Sequence, residues 1–153
     1  MTPRTAIALL ALAGLTFAAC GSDDSAASSD LSAEDLSGKG FAFSEVTGHD
    51  LVEGSEITMS FLDDGVSVNA GCNTMNGGFE ITDGVFMASR FAATMMACEQ
   101  PLMDQDMWLS EFLSSSPAIA LDGSTLTLTG ADATITLDEI EPAALVGTTW
   151  KVT

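Results

Sequence analysis

Residues 57–68 read Ile-Thr-Met-Ser-Phe-Leu-Asp-Asp-Gly-Val-Ser-Val and carry the clearest structural signal in the chain. Apolar and polar side chains alternate from Ile57 to Phe61 and again from Val66 to Val68, which is the period of a strand with one buried face. Between the two runs, Asp63-Asp64-Gly65 is a turn signal that places glycine where hairpin turns require a positive φ. The stretch predicts a β-hairpin.

Similar runs lie on both sides of this hairpin. Phe41 and Phe43 alternate in a first strand, and Asp83-Gly84 is a turn signal between two more runs. Toward the C-terminus, Asp122-Gly123 and residues 130–132 separate three further runs. The strands predicted beyond the first hairpin cover residues 79–81, 85–87, 118–121, 125–129 and 134–137.

The segment that begins at Pro101 has the period of a helix instead. Leu102, Leu109, Phe112 and Leu113 fall on one helical face. Proline suits the first helical position because its missing N–H costs nothing there. We therefore predict an α+β fold that is mostly β. It is an antiparallel sheet or partly closed barrel with one α-helix, at about residues 100–114, packed on it.

The N-terminal segment is unlike the rest of the chain. Residues 1–19 have a charged start and an apolar run too short for a permanent membrane span, which indicates a cleaved signal peptide. Phe17-Ala18-Ala19-Cys20 resembles a lipobox, so we expect lipidation of Cys20; ordinary secretion with cleavage after Ala19 is the alternative. Residues 20–35 are rich in Ser, Ala and Asp and are predicted to form a disordered acidic tether.

Assigning Cys20 to lipid leaves Cys72 and Cys98 as an even pair. An exported protein lies in an oxidising compartment, where disulfides persist. A disulfide between these cysteines would stabilise a small domain with a modest core by about 3.5 kcal/mol in the chain-entropy picture. Two free thiols are the alternative.

The chain is strongly acidic, with 22 Asp and Glu against 4 Lys and Arg and a formal net charge of −18. Because phosphate binding is driven by neutralisation with Lys and Arg, this charge excludes nucleic-acid binding. Solubility, tolerance of salt, or attraction of cations and basic partners are compatible with it.

Two separated motifs resemble the META domain family, whose members include the heat-shock protein HslJ. The motifs are Gly71-Cys72-Asn73-Thr74-Met75-Asn76-Gly77-Gly78-Phe79 and Thr94-Met95-Met96-Ala97-Cys98, and the likeness extends in order from about Leu36 to Leu137. Phe41 stands where the family usually has Trp, and Asp106 where it usually has Glu. The resemblance implies a β-rich domain over residues 36–138 with one helix, common in envelope lipoproteins and linked with heat-shock, drug-tolerance and secretion phenotypes.

Residues 139–153 are predicted to be a linker followed by the possible start of a truncated second domain. Leu145-Val146-Gly147-Thr148-Thr149-Trp150 has the same order of residue types as Leu36-Ser37-Gly38-Lys39-Gly40-Phe41. Trp150 also restores the aromatic residue usual in the family. The alternative is a last strand of the same domain.

His49 and a set of methionines are the candidates for chemistry outside the motifs. Because His49 is the one histidine of the chain, a Ser-His or Cys-His catalytic arrangement would need it, and its turn-like setting favours a surface residue instead. Methionines around the two cysteines would suit a soft metal such as Cu(I), although methionine also fills gaps in cores. These are Met75, Met95, Met96, Met103 and Met107.

The Gly-Cys-Asn loop, residues 71–78, has two interpretations. Its glycines and asparagines favour a tight connection held by the cysteine pair. It is also a possible binding loop, with Asn73, Asn76 and Thr94 as recognition residues, because glycine-rich loops on rigid sheets often bind ligands.

These features together predict a non-enzymatic lipoprotein with no cofactor, attached by its lipid to the membrane on the extracytoplasmic side of the cell envelope. It is expected to act in stress tolerance or envelope maintenance through contacts with an envelope protein or a small ligand. The alternative is a copper-binding lipoprotein that uses the methionine and cysteine cluster.

Overall fold

Eight antiparallel strands form a closed barrel in the computed structural model, which describes residues 31–63 and 65–141. A short helix precedes the first strand, and a longer helix lies between the fifth and sixth strands. In chain order the elements are α1 (Ala33–Leu36), β1 (Gly40–Thr47), β2 (Thr58–Leu62), β3 (Gly65–Asn69), β4 (Thr74–Thr82), β5 (Val85–Ala93), α2 (Gln100–Ser114), β6 (Ala118–Asp122), β7 (Thr125–Thr129) and β8 (Thr134–Ile140).

Each strand pairs with the next along the chain, and β1 pairs with β8 to close the barrel. The closing pair is long, running from Gly40 opposite Ile140 to Thr47 opposite Thr134. The pair between β5 and β6 is short by comparison, with Val85 opposite Ala118. Helix α2 connects these two strands, and the barrel is least continuous between them.

Alternation along the strands places their apolar side chains inside the barrel. Phe41 and Phe61 meet edge to face with ring centroids 5.8 Å apart, and Phe79 contacts Phe61 in the same way. Aliphatic side chains from the other strands complete the interior. The residues that are fully buried include Phe86, Val66, Val68, Leu126, Leu128, Ile135 and Leu137. This packed interior leaves ligand binding to the surface of the domain and the ends of the barrel.

The two helices cover opposite ends of the barrel. Helix α2 lies over the connections β1–β2, β3–β4 and β7–β8, and it buries Leu109, Phe112 and Leu113 there. Helix α1 lies at the other end, where Leu36 is fully buried and the Ser37 hydroxyl donates to Asp63 Oδ1 at 2.7 Å.

The predicted fold class is confirmed, including the antiparallel barrel and a helix at residues 100–114. Two local predictions differ from the structure. Strand β4 begins at Thr74, so most of the predicted loop 71–78 is strand, because its residues pair with β3 and β5. A capped helical turn also begins at Ala33, inside the stretch predicted to be tether.

The C-terminal end of the domain extends further than the sequence indicates. Strand β8 continues to Ile140 and pairs with β1, so residues 139 and 140 belong to the barrel. The proposed signal peptide, Cys20 and most of the tether lie outside the described residues. So does the stretch 142–153, which contains the predicted start of a second domain.

Candidate functional site

A groove of about 560 Å³ lies between helix α2 and the adjoining ends of β4 and β5. Its apolar wall contains Met75 from β4, Ala93 from β5, Met96 from the segment after β5, and Met103 and Met107 from α2. Met103 and Met107 are one helical turn apart, so their side chains lie next to each other on the helix surface. The polar residues that line the groove are Asn73, Gln100, Asp104, Asp106, Ser110 and Glu111.

Asp106 is the most unusual residue of the groove because its carboxyl group is buried, with 7% of the residue exposed. Oδ2 accepts a hydrogen bond from the Asn73 backbone N–H at 2.7 Å and a second from Asn73 Nδ2 at 3.0 Å. No group within residues 31–63 and 65–141 donates to Oδ1, which is also buried. One side of the carboxylate is therefore fully used by the fold, and the other side is not.

Asn73 connects Asp106 to the segment that follows β5. Its Oδ1 atom accepts hydrogen bonds from the Thr94 hydroxyl at 2.9 Å and from the Met96 backbone N–H at 2.8 Å. The Thr94 hydroxyl in turn accepts one from the Thr74 backbone N–H at 3.0 Å. This network places Met96 on the rim of the groove and holds Asp106 in one orientation.

A disulfide between Cys72 and Cys98 fastens the same segment from its far end, with the two Cα atoms 6.1 Å apart. The pairing agrees with the sequence prediction. Because both sulfurs are bonded to each other, neither is available as a thiolate ligand for a soft metal. The disulfide and Asn73 together fix the wall of the groove that faces α2.

Gln105 attaches α2 to the barrel immediately behind the groove. Only 2% of it is exposed. Its Oε1 atom accepts from the Val52 N–H at 2.6 Å, and its Nε2 atom donates to Ser55 Oγ at 2.8 Å and to the Ala70 carbonyl at 2.5 Å. These bonds set the position of the helix, and with it the width of the groove.

The three residues of the possible binding loop do not converge on one site. Asn73 and Thr94 lie together, but their side chains are hydrogen-bonded mainly within the fold. Asn76 is exposed on β4 and lines a different surface depression with Leu62 and Asp63. The polar atoms of Asn73 and Thr94 therefore serve mainly to hold the fold together. The groove beside them is the better candidate site.

His49 lies on another side of α2 from the groove. Its ring stacks on Trp108, with centroids 3.7 Å apart and planes 5° from parallel. In the described part of the chain, no hydrogen bond joins His49 to a serine, threonine or cysteine side chain. The contact explains the position of His49 as packing against the helix.

From the sequence, Asp106 was noted only as standing where the family usually has Glu and was not predicted to be a site residue. A signal was present, because Leu102, Asp106, Leu109 and Leu113 follow the spacing of one helical face. A carboxylate within an apolar helical stripe is a buried charge, and buried charges need partners. Gln105 had no comparable signal, because its partners come from distant loops.

No group of three or more His, Cys, Asp and Glu side chains within the described residues is arranged to hold a metal ion. The described helices are also each too short or too polar to cross a membrane.

Comparison with known proteins identifies one family and a set of similar folds. The family model of the META domain matches residues 34–141. An NMR structure of a protein is 26% identical, with a TM-score of 0.59, and the match covers 71% of this chain and 94% of that one. An NMR structure of a protein from Burkholderia xenovorans is 17% identical, with a TM-score of 0.60, and the match covers 72% and 87% of the two chains. No curated protein sequence matches the chain.

Proposed function

The chain belongs to the META domain family, and we propose that it acts in the bacterial cell envelope as a lipid-anchored, non-enzymatic binding protein for stress tolerance or envelope maintenance. The groove between α2 and the ends of β4 and β5 is its ligand site. The observation that carries this proposal is the buried Asp106 carboxylate among flexible methionine side chains, with one oxygen that has no partner among residues 31–63 and 65–141.

The envelope location rests on the N-terminal sequence. A charged start, a short apolar run and a cysteine at the cleavage edge are together typical of lipoprotein precursors. Metabolic labelling of the full chain with a radioactive fatty acid tests it. We expect label on the wild type and none on Cys20→Ser, and an unlabelled wild type would contradict the anchor.

The dimensions and lining of the groove support binding of a small ligand. Its volume lies within the range of about 300–1,000 Å³ typical of small-molecule sites, and such sites combine an apolar wall with a few polar groups. Met96 and Met107 are 60% and 57% exposed, so their side chains are accessible to a ligand. Methionine side chains adapt to ligands of different shape because they have several rotatable bonds.

The arrangement of His49 supports a role without catalysis. A Ser-His or Cys-His mechanism needs the nucleophile within hydrogen-bond reach of the imidazole. His49 stacks on Trp108 instead, and Cys72 and Cys98 are bonded to each other.

Filling the groove tests whether it serves the function. Ala93 lines the groove, whereas its neighbour Ala92 is exposed on β5 and is not part of the lining. In a strain that lacks the protein, we expect Ala92→Trp to restore survival under heat or detergent stress and Ala93→Trp not to restore it. Both variants must accumulate to the wild-type level. Full restoration by Ala93→Trp would contradict a function of the groove.

Copper binding is a second candidate, supported by the four methionines that line one groove. Thioether sulfur is a ligand for Cu(I). Because the cysteines form a disulfide, this candidate depends on Met75, Met96, Met103 and Met107 alone. Titration with Cu(I) against a chromogenic chelator tests it. Replacement of all four by Leu keeps the apolar wall and removes the sulfur, so equal affinity of the two proteins would end this candidate.

A further inference from the structure

We infer that the ligand of the groove is a small organic cation, an ammonium or guanidinium group joined to an apolar body. The cationic N–H donates to Asp106 Oδ1, and the apolar body lies on the methionine side chains. This inference rests on the proposed function, because it assumes that the groove is a ligand site and names the chemistry of the ligand.

The hydrogen bonds of the Asp106 carboxylate determine which kind of ligand gains from contact with it. A buried ionised group is costly unless its lone pairs are satisfied. Asn73 satisfies Oδ2 with two hydrogen bonds, and Oδ1 has no donor within the part of the chain that the structure describes. A ligand that donates to Oδ1 would therefore gain a charge-assisted hydrogen bond, which is stronger than a neutral one. An anion or a ligand with acceptors alone would gain nothing there.

The charge around the Asp106 carboxylate favours a cation. Asp104 and Glu111 line the same groove, and none of the described residues that line it is a lysine or arginine. The chain as a whole has a net charge of −18. Acidic groups in a cleft raise the local concentration of cations and repel anions. The charge of the groove and the free side of the Asp106 carboxylate therefore both favour a positively charged ligand.

The size and the lining of the groove favour a small ligand with an apolar body. Thioether side chains and Ala93 form its apolar part, so a bare inorganic cation would leave this surface unused. A volume of about 560 Å³ fits a molecule of small size and is too small for a folded partner. Because Oδ1 is buried, a donor reaches it only when a side chain of the groove wall moves, and most of the apolar wall is methionine. Methionine makes such changes at low cost.

Asp106→Asn isolates the interaction with little change to the fold. The amide oxygen of asparagine can accept both hydrogen bonds from Asn73, and its NH₂ group then occupies the position of Oδ1. The substitution removes the charge and replaces an acceptor with a donor at one atom. Asp122→Asn is the matched control, because Asp122 is exposed at the β6–β7 turn, at the opposite end of the barrel.

The experiment is calorimetric titration of the mature domain, the chain without its predicted signal peptide, with decylammonium below its critical micelle concentration and, separately, with uncharged decanol below its solubility limit. We expect the ammonium to bind more tightly than the alcohol. Asp106→Asn should weaken ammonium binding by at least about tenfold, the size of one charge-assisted hydrogen bond. Asp122→Asn should leave it unchanged. Ala93→Trp should abolish binding of both probes.

Three results would overturn the inference. The first is equal binding of decanol and decylammonium in wild type and in Asp106→Asn. The groove would then remain a ligand site, but the preference for a cation would be rejected. The second is an equal loss of affinity for decylammonium in Asp106→Asn and Asp122→Asn, which would indicate attraction by net charge alone. The third is that neither probe binds. The survival of the Ala93→Trp strain under stress would then test the proposed function separately.

Discussion

Gly48 and Gly54 have the same backbone conformation but different surroundings. Their φ angles are +82° and +80°, in the region that residues with a side chain rarely adopt. A Cβ on Gly48 would collide with the Asp132 carbonyl oxygen, whereas a Cβ on Gly54 would meet open space. Gly48 is therefore the point at which the β1–β2 connection approaches the β7–β8 connection most closely.

Alanine substitution should separate these two effects. We expect Gly48→Ala to lower the free energy of unfolding by about 1–3 kcal/mol more than Gly54→Ala, because both variants share the backbone strain and one adds overpacking. Urea denaturation of the two variants measures the difference. Equal stabilities would mean that the two connections are not in contact in solution.

At the scale of single residues, the cysteine pairing could be predicted from the number of cysteines. Contacts between residues that are far apart in sequence could not be predicted. Cys72 and Cys98 could be paired because the expected lipidation of Cys20 leaves an even number. Gln105 could not be assigned and the partner of Asp106 could not be named, since Val52, Ala70 and Asn73 are brought to the helix by loops far away in sequence. Asn76 lies apart from Asn73 and Thr94 because strand pairing, and not loop geometry, sets its direction.

At the scale of elements, the attachment of α2 depends on Gln105. Removing its side chain leaves the part-buried Val52 N–H and the buried Ala70 carbonyl without this partner. We expect Gln105→Ala to lower the free energy of unfolding by about 2–4 kcal/mol, since each unsatisfied buried group costs about 1–3 kcal/mol. Denaturant titration measures this loss.

Gln100→Ala is the matched control for this experiment. Gln100 is exposed and its side chain donates to Asp104 one turn further along the helix, at 2.7 Å. Its removal should change the stability by less than about 0.5 kcal/mol. A similar loss in both variants would show that Gln105 has no special role in holding the helix.

Helix α1 depends on pH through its capping residues. The Ser32 hydroxyl and then the Ser32 backbone N–H donate to Asp35 Oδ2, at 2.7 and 2.9 Å, and hold the pKa of Asp35 below its ordinary value. A carboxyl group whose pKa is lower in the folded state stabilises the fold fully above its unfolded-state pKa. That contribution is lost as the pH falls through the folded-state pKa.

Replacement of the cap should therefore be visible in an NMR titration of the Asp35 carboxyl carbon. We expect Ser32→Ala to raise the pKa of Asp35 toward its ordinary value, because the stronger of the two donors is removed. A pKa that is already ordinary in the wild type and does not respond to Ser32→Ala would contradict the capping geometry.

Elements with strict alternation were predicted well, and elements with unusual composition were not. The hairpin of β2 and β3 was clear because turn residues separate two alternating runs. The first half of β4 contains Asn76, Gly77 and Gly78, which are rare in strands. Their place in the sheet is set by pairing with Val66 and Ser89 on the neighbouring strands. A tertiary contact here overrides local preference.

At the scale of the whole molecule, the disulfide joins the β3–β4 connection to the segment that enters α2. It closes a sequence separation of 26 residues. We expect the double variant Cys72→Ala and Cys98→Ala to lose about 3.5 kcal/mol of unfolding free energy, mainly through the greater freedom of the unfolded chain. Denaturation of the mature domain with and without reductant measures the same quantity. No difference would show that the disulfide is not formed or does not constrain the chain.

Closure of the barrel is the property of the whole molecule that the sequence indicated only in outline. The number and order of strands follow from turn signals, but the pairing of β1 with β8 joins residues that are far apart along the chain. Its register is set by the interior side chains, which must fill the barrel without gaps. Residues 139 and 140 were predicted to be linker because this long-range pairing is not visible in the local sequence. In the structure they lie opposite Phe41 and Gly40.

The most direct measurement of the central claim, that the groove beside α2 binds a cationic ligand through Asp106, is NMR of the mature domain labelled with ¹³C at the methionine methyl groups. Addition of decylammonium should shift the methyl signals of Met96, Met103 and Met107, which line the groove. Those of Met87 and Met95, which are exposed elsewhere, should not shift. The shifts should disappear in Asp106→Asn. Equal shifts of all exposed methyl groups, or the same shifts in Asp106→Asn, would contradict the claim.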